Sequence, residues 1–238
     1  MIVKDIVEYR KKHAIILIYE EIPEFEDALI RIVEHPGWEL AAAESKRLPP
    51  HTQFKMWYDA FDYTHNSWGN TFFGVYYDSE SLLKYFRTYN EQLNKSEKDI
   101  VEMLKENKYL KNSKNIIKNF PDRFGLIFIN KEFCKIEKVP VKSIIKHELA
   151  HFLFHVSEKY RKQGKEVYKS LRPGIKLRIR EALSSLRYNE FETLDEFTAC
   201  CIADSKGAIA CLFKNFSEKE KEGVQGLRDT FQKLLNYK

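Results

Sequence analysis

The chain has 238 residues, of which 43 % are hydrophobic and 14 % aromatic. A chain of this length and composition can bury a core without disulfide bonds, which excludes an intrinsically disordered protein. Its net charge of +5 is the balance of 40 basic and 35 acidic residues. Because these charges are interleaved along the chain, they favour a solvated surface over a stripe dedicated to nucleic acid.

The N-terminal region and the cysteines indicate the compartment. The apolar run over residues 14–19 is closed by Glu20 and Glu21, and it is too short for the core of a signal peptide or for a membrane span. The four cysteines have no metal-binding or redox spacing, so we expect reduced, buried thiols. These features predict a cytoplasmic protein that does not contact a membrane.

The first third of the sequence predicts strands and one helix. An apolar run bounded by charges, His13–Tyr19, is typical of a buried strand. The next segment carries apolar side chains at helical spacing, and Pro36 and Gly37 end that helix. Two aromatic-rich arms, residues 54–63 and 71–77, flank a turn region and predict a hairpin.

From residue 79 onward the apolar residues recur with the period of a helix. Residues 79–110 predict two helices with a break near Lys95. A compact apolar run, Phe124–Asn130, predicts another strand. Pro140 then fits the first turn of a helix that continues to Val156.

Helices dominate the remainder of the chain. Residues 175–188 predict a basic amphipathic helix, and residues 190–210 predict a long helix that is strongly apolar after Phe197. The last helix begins at Ser217, which forms a capping-box pattern with Glu220 three residues later.

The most informative stretch is KHELAHFLFH, residues 146–155, because it contains the pattern His-Glu-x-x-His. His147 and His151 are four residues apart, so a helix places both imidazoles on one face, where they can bind one Zn²⁺ ion. Glu148 is rotated by about 100° from His147 and lies beside the ion. There it can act as the base that assists attack of a zinc-bound water on a peptide bond.

The apolar flanks of the motif favour a metal ion over a set of core histidines. The helix is apolar on nearly every side, so we expect it to be buried. Two histidines and a glutamate that are buried together need a partner to offset their desolvation, and a metal ion supplies it. The alternative is a group of core histidines that bond to the backbone and to carboxylates.

His155 extends the same helix face without extending the metal site. It follows His147 by eight residues, or about 12 Å of helix rise, and one tetrahedral ion cannot easily be reached from both ends. We therefore expect His155 to support the ligands or the helix rather than to bind the ion.

The third ligand is expected within residues 189–204. Glu196 shares a helix face with small residues, which would let this helix approach the motif helix closely. Glu192, one turn earlier, is the alternative ligand, and in that case Glu196 would orient a histidine. A third interpretation is a solvated first helical turn whose carboxylates are favoured by the helix dipole.

The motif and the following acidic helix resemble the ImmA/IrrE-type zinc metallopeptidases, a gluzincin-like family with a pattern similar to HELGHxxLH followed by a glutamate in a segment like EADxFA. The resemblance covers about residues 124–204. The matching residues are His147, Glu148, Leu149, His151, His155, Glu196 and Ala199. It implies an HExxH zincin and an intracellular endopeptidase, often one that inactivates a regulatory protein.

The fold expected from the element order and the resemblance is α+β and zincin-like. A mixed or antiparallel sheet would pack on the buried active-site helix, and a helical C-terminal lobe would follow. The division into lobes is expected at residues 1–156, which end with the HExxH helix, and 157–238, which carry the third ligand. One compact domain is the alternative.

Two functions follow from this site. The first is a zinc-dependent metallopeptidase that cleaves a protein or peptide substrate, with Tyr160, Tyr188 or His155 as candidates to stabilise the transition state. The second is a regulatory or binding protein whose zincin-like metal site is structural or degenerate. A fourth protein ligand would favour the second function, and an open fourth position the first.

The basic residues between the motif and the acidic helix allow three interpretations. They can line a cleft for acidic substrates, contact nucleic acid, or form the solvated face of an amphipathic helix. These residues are Arg172, Lys176, Arg178, Arg180 and Arg187.

Overall fold

The computed structural model describes residues 2–32, 73–106, 124–185, 188, 192–203 and 213–235. Within them the chain is α+β, with a small mixed four-stranded sheet and mostly helices, which confirms the predicted coarse class. The contacts group the chain into two compact units, Met1–Asp5 with Ile15–Glu137 and Ile6–Ala14 with Lys138–Lys238.

The sheet has the strand order β1-β2-β4-β3. The strands are β1 (Ile2–Tyr9), β2 (Lys12–Tyr19), β3 (Gly74–Asp78) and β4 (Phe124–Asn130). Arg10 and Lys11 join β1 to β2 with φ of 49° and 64°, the left-handed backbone that a tight two-residue hairpin turn requires. The apolar runs of the sequence predicted β2 and β4, whereas β1 was not predicted.

Strand β4 is buried at every residue, as its unbroken apolar run predicts. It pairs antiparallel with β3, where Gly74 lies opposite Ile129 and Asp78 opposite Gly125. Strand β3 corresponds to the second arm of the predicted aromatic hairpin. The first arm, residues 54–63, lies outside the described residues.

The first unit packs helices around one apolar core. Its helices are α1 (described over residues 22–32), α2 (Ser79–Thr88), α3 (Lys95–Glu106) and α4 (Lys131–Ile136). The predicted break near Lys95 is confirmed, and Asn94 explains it. Its side chain accepts a hydrogen bond from the Glu97 amide at 2.8 Å, while the Glu97 carboxylate accepts one from the Asn94 amide at 2.8 Å.

The second unit is helical in the part of residues 138–238 that the structure describes. Its helices are α5 (Val141–Val156), α6 (Glu158–Ser170), α7 (Pro173–Ser185), α8 (Thr193–Ile202) and α9 (Glu218–Leu235). Helix α5 has the bounds that its sequence predicts, and α8 packs against α5, α6, α7 and α9. Among the described helices, none is both long and apolar enough to cross a membrane.

The division into units differs from the predicted division after residue 156. The prediction grouped the HExxH helix with the N-terminal lobe, with one compact domain as the alternative. The contacts group α5 with residues 138–238 instead, since α5 packs against α6 and α8. The candidate ligands on α5 and α8 therefore belong to one unit.

Helices α6 and α8 approach closely at a glycine. A Cβ atom added to Gly164 would lie 2.7 Å from the Thr198 hydroxyl oxygen and 3.1 Å from its methyl carbon. The Thr198 hydroxyl donates to the Leu194 carbonyl at 2.7 Å, so the side chain is not free to turn away. The two helices therefore lie so close together at this point that position 164 has room for glycine but not for a side chain.

We expect Gly164→Ala to lower the free energy of unfolding relative to Gly174→Ala by about 1–3 kcal/mol, the usual cost of overpacking. Gly174 on α7 is the matched control, because no atom lies within 4 Å of an added Cβ there. Both substitutions raise the helix propensity of the residue. The difference in unfolding free energy between the two variants therefore reports the contact with Thr198. Urea unfolding measures both variants, and equal stabilities would contradict the close approach.

The predicted capping box at the start of α9 is confirmed. The Ser217 hydroxyl accepts from the Glu220 amide at 3.3 Å, and the Glu220 carboxylate accepts from the Ser217 amide at 2.7 Å. The Arg172 guanidinium also donates to this carboxylate, at 3.0 Å from Nη2 to Oε2. Burial alone would raise the pKa of Glu220, but the hydrogen bonds from Arg172 and Ser217 outweigh burial and lower the pKa to about 2.

Glu220→Gln is expected to lower the free energy of unfolding at pH 7 by about 1–2 kcal/mol, a modest value because Arg172 is largely exposed to solvent. The carboxyl has a lower pKa in the folded than in the unfolded chain. Its stabilisation is therefore complete above about pH 4.5 and disappears as the pH falls towards 2.

Urea unfolding of both chains between pH 7 and pH 2.5 tests this expectation, and the two stabilities should converge in acid. Glu218→Gln is the control, because its carboxylate pairs with Lys221 on the surface and is 85 % exposed. A difference that stays constant across the pH range would contradict the role of the Glu220 charge.

Candidate metal centre

Helix α5 carries the two histidines of the motif on one face. Its other faces are held in the core by Leu149, Phe152 and Leu153, each with no exposed surface. The Nε2 atoms of His147 and His151 lie 3.2 Å apart. The apolar sequence around the motif therefore fixes the helix, and the four-residue spacing brings the two ring nitrogens together.

Glu196 brings its carboxylate to both histidines from the first turn of α8. Its Oε1 atom lies 3.1 Å from Nε2 of His147, and its Oε2 atom lies 3.3 Å from Nε2 of His151. The residue is only 6 % exposed. Glu192 directly precedes α8 with an exposed side chain, and the cluster of candidate ligand atoms contains Glu196 instead.

The separations of the two ring nitrogens and the carboxylate oxygens fit the ligands of a zinc ion. In a tetrahedral site with bonds of about 2.0 Å, neighbouring ligand atoms lie about 3.3 Å apart. The two Nε2 atoms lie 3.2 Å apart, and they lie 3.1 and 3.3 Å from the two different oxygens of the Glu196 carboxylate. Two imidazole nitrogens and a carboxylate oxygen are also atoms that zinc binds readily.

Asp195 holds the other side of His151. Its Oδ1 atom lies 2.9 Å from Nδ1 of His151, and its Oδ2 atom lies 3.1 Å from Nε2 of His155. A neutral His151 that donates from Nδ1 to Asp195 keeps the lone pair of Nε2 directed at the ligand cluster. His155 lies beyond the cluster and bonds to the carboxylate that orients His151.

Sequence reasoning did not find the role of Asp195. A signal was present, because a metal-binding histidine usually donates its second ring nitrogen to a carboxylate or carbonyl. Asp195 is adjacent to the proposed ligand Glu196, but adjacent residues on a helix point about 100° apart. Only the packing of α8 against α5 shows that the Glu196 carboxylate reaches Nε2 of His151 and that the Asp195 carboxylate reaches Nδ1.

The electrostatics of the cluster favour a positive charge on the histidines. Burial lowers the pKa of His147, but the Glu196 carboxylate and Cys200 outweigh burial and raise the pKa to about 10. For His151, burial likewise lowers the pKa, and Asp195 and Glu196 raise it well above the ordinary value. The two carboxylates therefore create a site where a cation, whether a proton or a metal ion, is strongly stabilised.

Glu148 is buried beside this cluster and is 5 % exposed. Burial raises the pKa of its carboxyl, and the positive charge that His147 and His151 can carry opposes the rise. A carboxylate whose pKa is raised is a stronger base than a solvated one. The charges of both candidate histidines and of Glu196 act on its carboxyl group, which places Glu148 within electrostatic reach of the cluster.

Two further polar groups of the second unit lie at the cluster. The Cys200 sulfur is 3.9 Å from Oε1 of Glu196. Burial raises the pKa of the Tyr188 hydroxyl, and the carboxylates of Glu196 and Glu148 raise it further, Glu196 also through a hydrogen bond. Tyr160, in contrast, is buried in the core, and its hydroxyl has no hydrogen-bond partner among the described residues.

Two of the basic residues between the motif and α8 have hydrogen-bond partners within the second unit. Arg172 bonds to Glu220 at the start of α9, and the Lys176 ammonium donates to the Lys169 carbonyl at 2.7 Å. These two contacts lie within the helical unit and reduce the case for a continuous basic wall. Arg187 lies outside the described residues.

Comparison of the chain with models of protein families, with curated proteins and with solved structures found no match. The resemblance of residues 124–204 to the ImmA/IrrE-type zinc metallopeptidases therefore stays a prediction.

We expect Asp195→Asn to weaken zinc binding by about tenfold and Asp195→Ala by up to about 100-fold, the range for partners that orient a metal-binding histidine. Asparagine keeps an acceptor for the His151 ring but loses the charge, whereas alanine loses both. Competition with a chromophoric chelator measures the affinity. Asp229→Asn on the exposed side of α9 is the control. Unchanged affinity in the alanine variant would contradict the orienting role.

Proposed function

We propose that this chain is a zinc-dependent metallopeptidase with a zincin-like fold, an intracellular endopeptidase that acts on a protein substrate. His147, His151 and Glu196 hold the zinc ion, and Glu148 is the general base. The observation that supports the proposal best is a pair of imidazole nitrogens 3.2 Å apart, each within 3.3 Å of one oxygen of the Glu196 carboxylate, beside the buried Glu148.

The chemistry requires a base beside the attacking water. Zinc bound at such a site lowers the pKa of water and polarises the carbonyl of the scissile bond. Glu148 accepts the proton of the attacking water and delivers it to the leaving amine. Burial suits it to this task, because the desolvated carboxylate holds a proton more readily than an exposed one.

The remaining residues orient the ligands and receive developing charge. Asp195 fixes the ring of His151, and His155 bonds to the second oxygen of Asp195. Tyr188 is assigned to the negative charge that develops on the substrate oxygen, since a hydroxyl donor beside the reacting atoms stabilises such charge. Its hydrogen bond to Glu196 and the effect of the Glu148 charge on its pKa support this assignment over Tyr160, which is buried in the core.

The second candidate function is a regulatory or binding protein with a structural metal site. One specific observation favours it, the presence of the Cys200 sulfur near two of the proposed ligands. A structural site has no use for Glu148, however, and a buried carboxylate without a task costs desolvation energy. The complete His-Glu-x-x-His pattern therefore favours the enzyme.

Glu148→Gln is expected to keep about one zinc ion per chain and to lower peptide cleavage by about 10²–10⁴-fold, because the amide cannot accept the proton. Metal analysis gives the zinc content, and mass spectrometry of a peptide library gives the cleavage. Glu181→Gln, an exposed residue of α7, is the matched control.

Two outcomes would refute the proposal. The first is zinc content far below one ion per chain in wild-type protein made with zinc available. The second is undiminished cleavage by Glu148→Gln. A comparison of cleaved proteins in cells that carry either chain then identifies the substrate.

A further inference from the structure

One thiol lies at the metal centre without a task in the proposed mechanism. Cys200 follows Glu196 by one turn of α8, so both side chains lie on the same face. Its sulfur is 3.9 Å from Oε1 of Glu196, and the ligand atoms of Cys200, Glu196 and His147 all lie within 4.8 Å of one another. The residue is half-buried.

The position of the sulfur is close to that of a fourth zinc ligand. With a zinc–sulfur bond of about 2.3 Å and a zinc–oxygen bond of about 2.0 Å, a tetrahedral site separates the two atoms by about 3.5 Å. The observed separation of 3.9 Å is longer by a few tenths of an ångström, a shift that rotation of the cysteine side chain supplies. The sulfur thus lies close to Glu196 and His147, and His151 adjoins this group through the 3.2 Å separation of the two Nε2 atoms.

The four proposed ligands of such a site would match the charge of the ion. A thiolate and a carboxylate together carry two negative charges, which match the two positive charges of zinc, and the two imidazoles are neutral. The thiol releases its proton to solvent when the sulfur binds.

The neighbouring cysteine shows that this placement is specific to Cys200. Cys201 is fully buried and lies outside the cluster of candidate ligands. Its carbonyl accepts a hydrogen bond at 2.7 Å from Arg228 of α9. The two cysteines are adjacent in the sequence and have the same chemistry, but their environments differ. Cys201 therefore provides a matched control.

We propose that Cys200 is a fourth ligand of the metal centre and competes with water for the coordination position that hydrolysis requires. The proposal rests on the proposed binding of zinc by His147, His151 and Glu196. With the sulfur bound, the ion has four protein ligands and holds no water for Glu148 to deprotonate. With the sulfur displaced, the position is open, so the thiol sets the fraction of active centres.

Absorption spectroscopy of the cobalt-loaded protein tests the coordination. Co²⁺ accepts similar ligands to Zn²⁺ and, unlike zinc, gives visible bands and a near-ultraviolet band when a thiolate binds. Wild type and Cys201→Ala are expected to show the thiolate band. Cys200→Ser and Cys200→Ala are expected to lose it while they keep the visible bands, and to bind cobalt at least about tenfold more weakly.

Added azide tests the competition. The spectrum of cobalt-loaded Cys200→Ala is expected to shift at azide concentrations that leave the wild-type spectrum unchanged, because the fourth position is open only in the variant. Zinc-loaded Cys200→Ala is also expected to cleave peptides severalfold faster than wild type, and the double variant with Glu148→Gln to cleave none.

The outcomes separate this proposal from the one on which it rests. Visible bands of tetrahedral cobalt in wild type without a thiolate band would overturn the ligand role of Cys200 and leave the metallopeptidase proposal intact. An equal response of wild type and Cys200→Ala to azide would overturn the competition. Failure of wild type to bind cobalt or zinc at all would overturn both proposals.

Discussion

The close packing of helix α8 against helix α5 is the constraint on which the candidate site depends. Each helix alone carries only half of the cluster, with the histidines on α5 and the carboxylates on α8. Both helices carry small buried residues, among them Ala150 on α5 and Ala199 on α8, neither of which has exposed surface. Gly164 on α6 sets the position of α8 from another side. The core of the unit therefore determines the geometry of the candidate ligands. A substitution in the core can change this geometry even where the substituted residue does not contact the ligands.

The electrostatics explain why this arrangement calls for a bound cation. Burial of imidazoles and carboxylates is costly, and mutual hydrogen bonds offset only part of that cost. Glu196 contacts both histidines and Asp195 contacts His151, so the histidines face two negative charges while Glu148 adds a third nearby. A purely structural core gains nothing from such a collection, since apolar side chains of similar volume would pack there at lower cost. The proposed divalent ion would offset much of this negative charge.

The parts of the fold and site that sequence predicted are those set by local spacing. The bounds of β4 and α5, the capping box at Ser217 and the shared face of His147 and His151 all follow from periods of two or 3.6 residues and from turn chemistry. The hydrogen bond of Asp195 to His151 and the approach of Glu196 to His147 depend on contacts between residues more than 40 positions apart. Local patterns carry no information on such contacts, and for the same reason the grouping of α5 with the C-terminal helices was not foreseen.

The helix geometry that delivers the third ligand also determines what lies near the fourth coordination position. Residues 196 and 200 are one turn apart on α8, so a helix that aims Glu196 at the histidines brings the side chain of residue 200 to the same face. An alanine there would leave the position to water, and a bulky apolar residue would block it. A cysteine does neither, because its sulfur can bind the ion and can also be displaced. The same three residues, His147, His151 and Glu196, could therefore belong to an open hydrolytic centre, to a closed structural centre or to a centre that exchanges between the two states. The identity of residue 200 determines which of these centres forms.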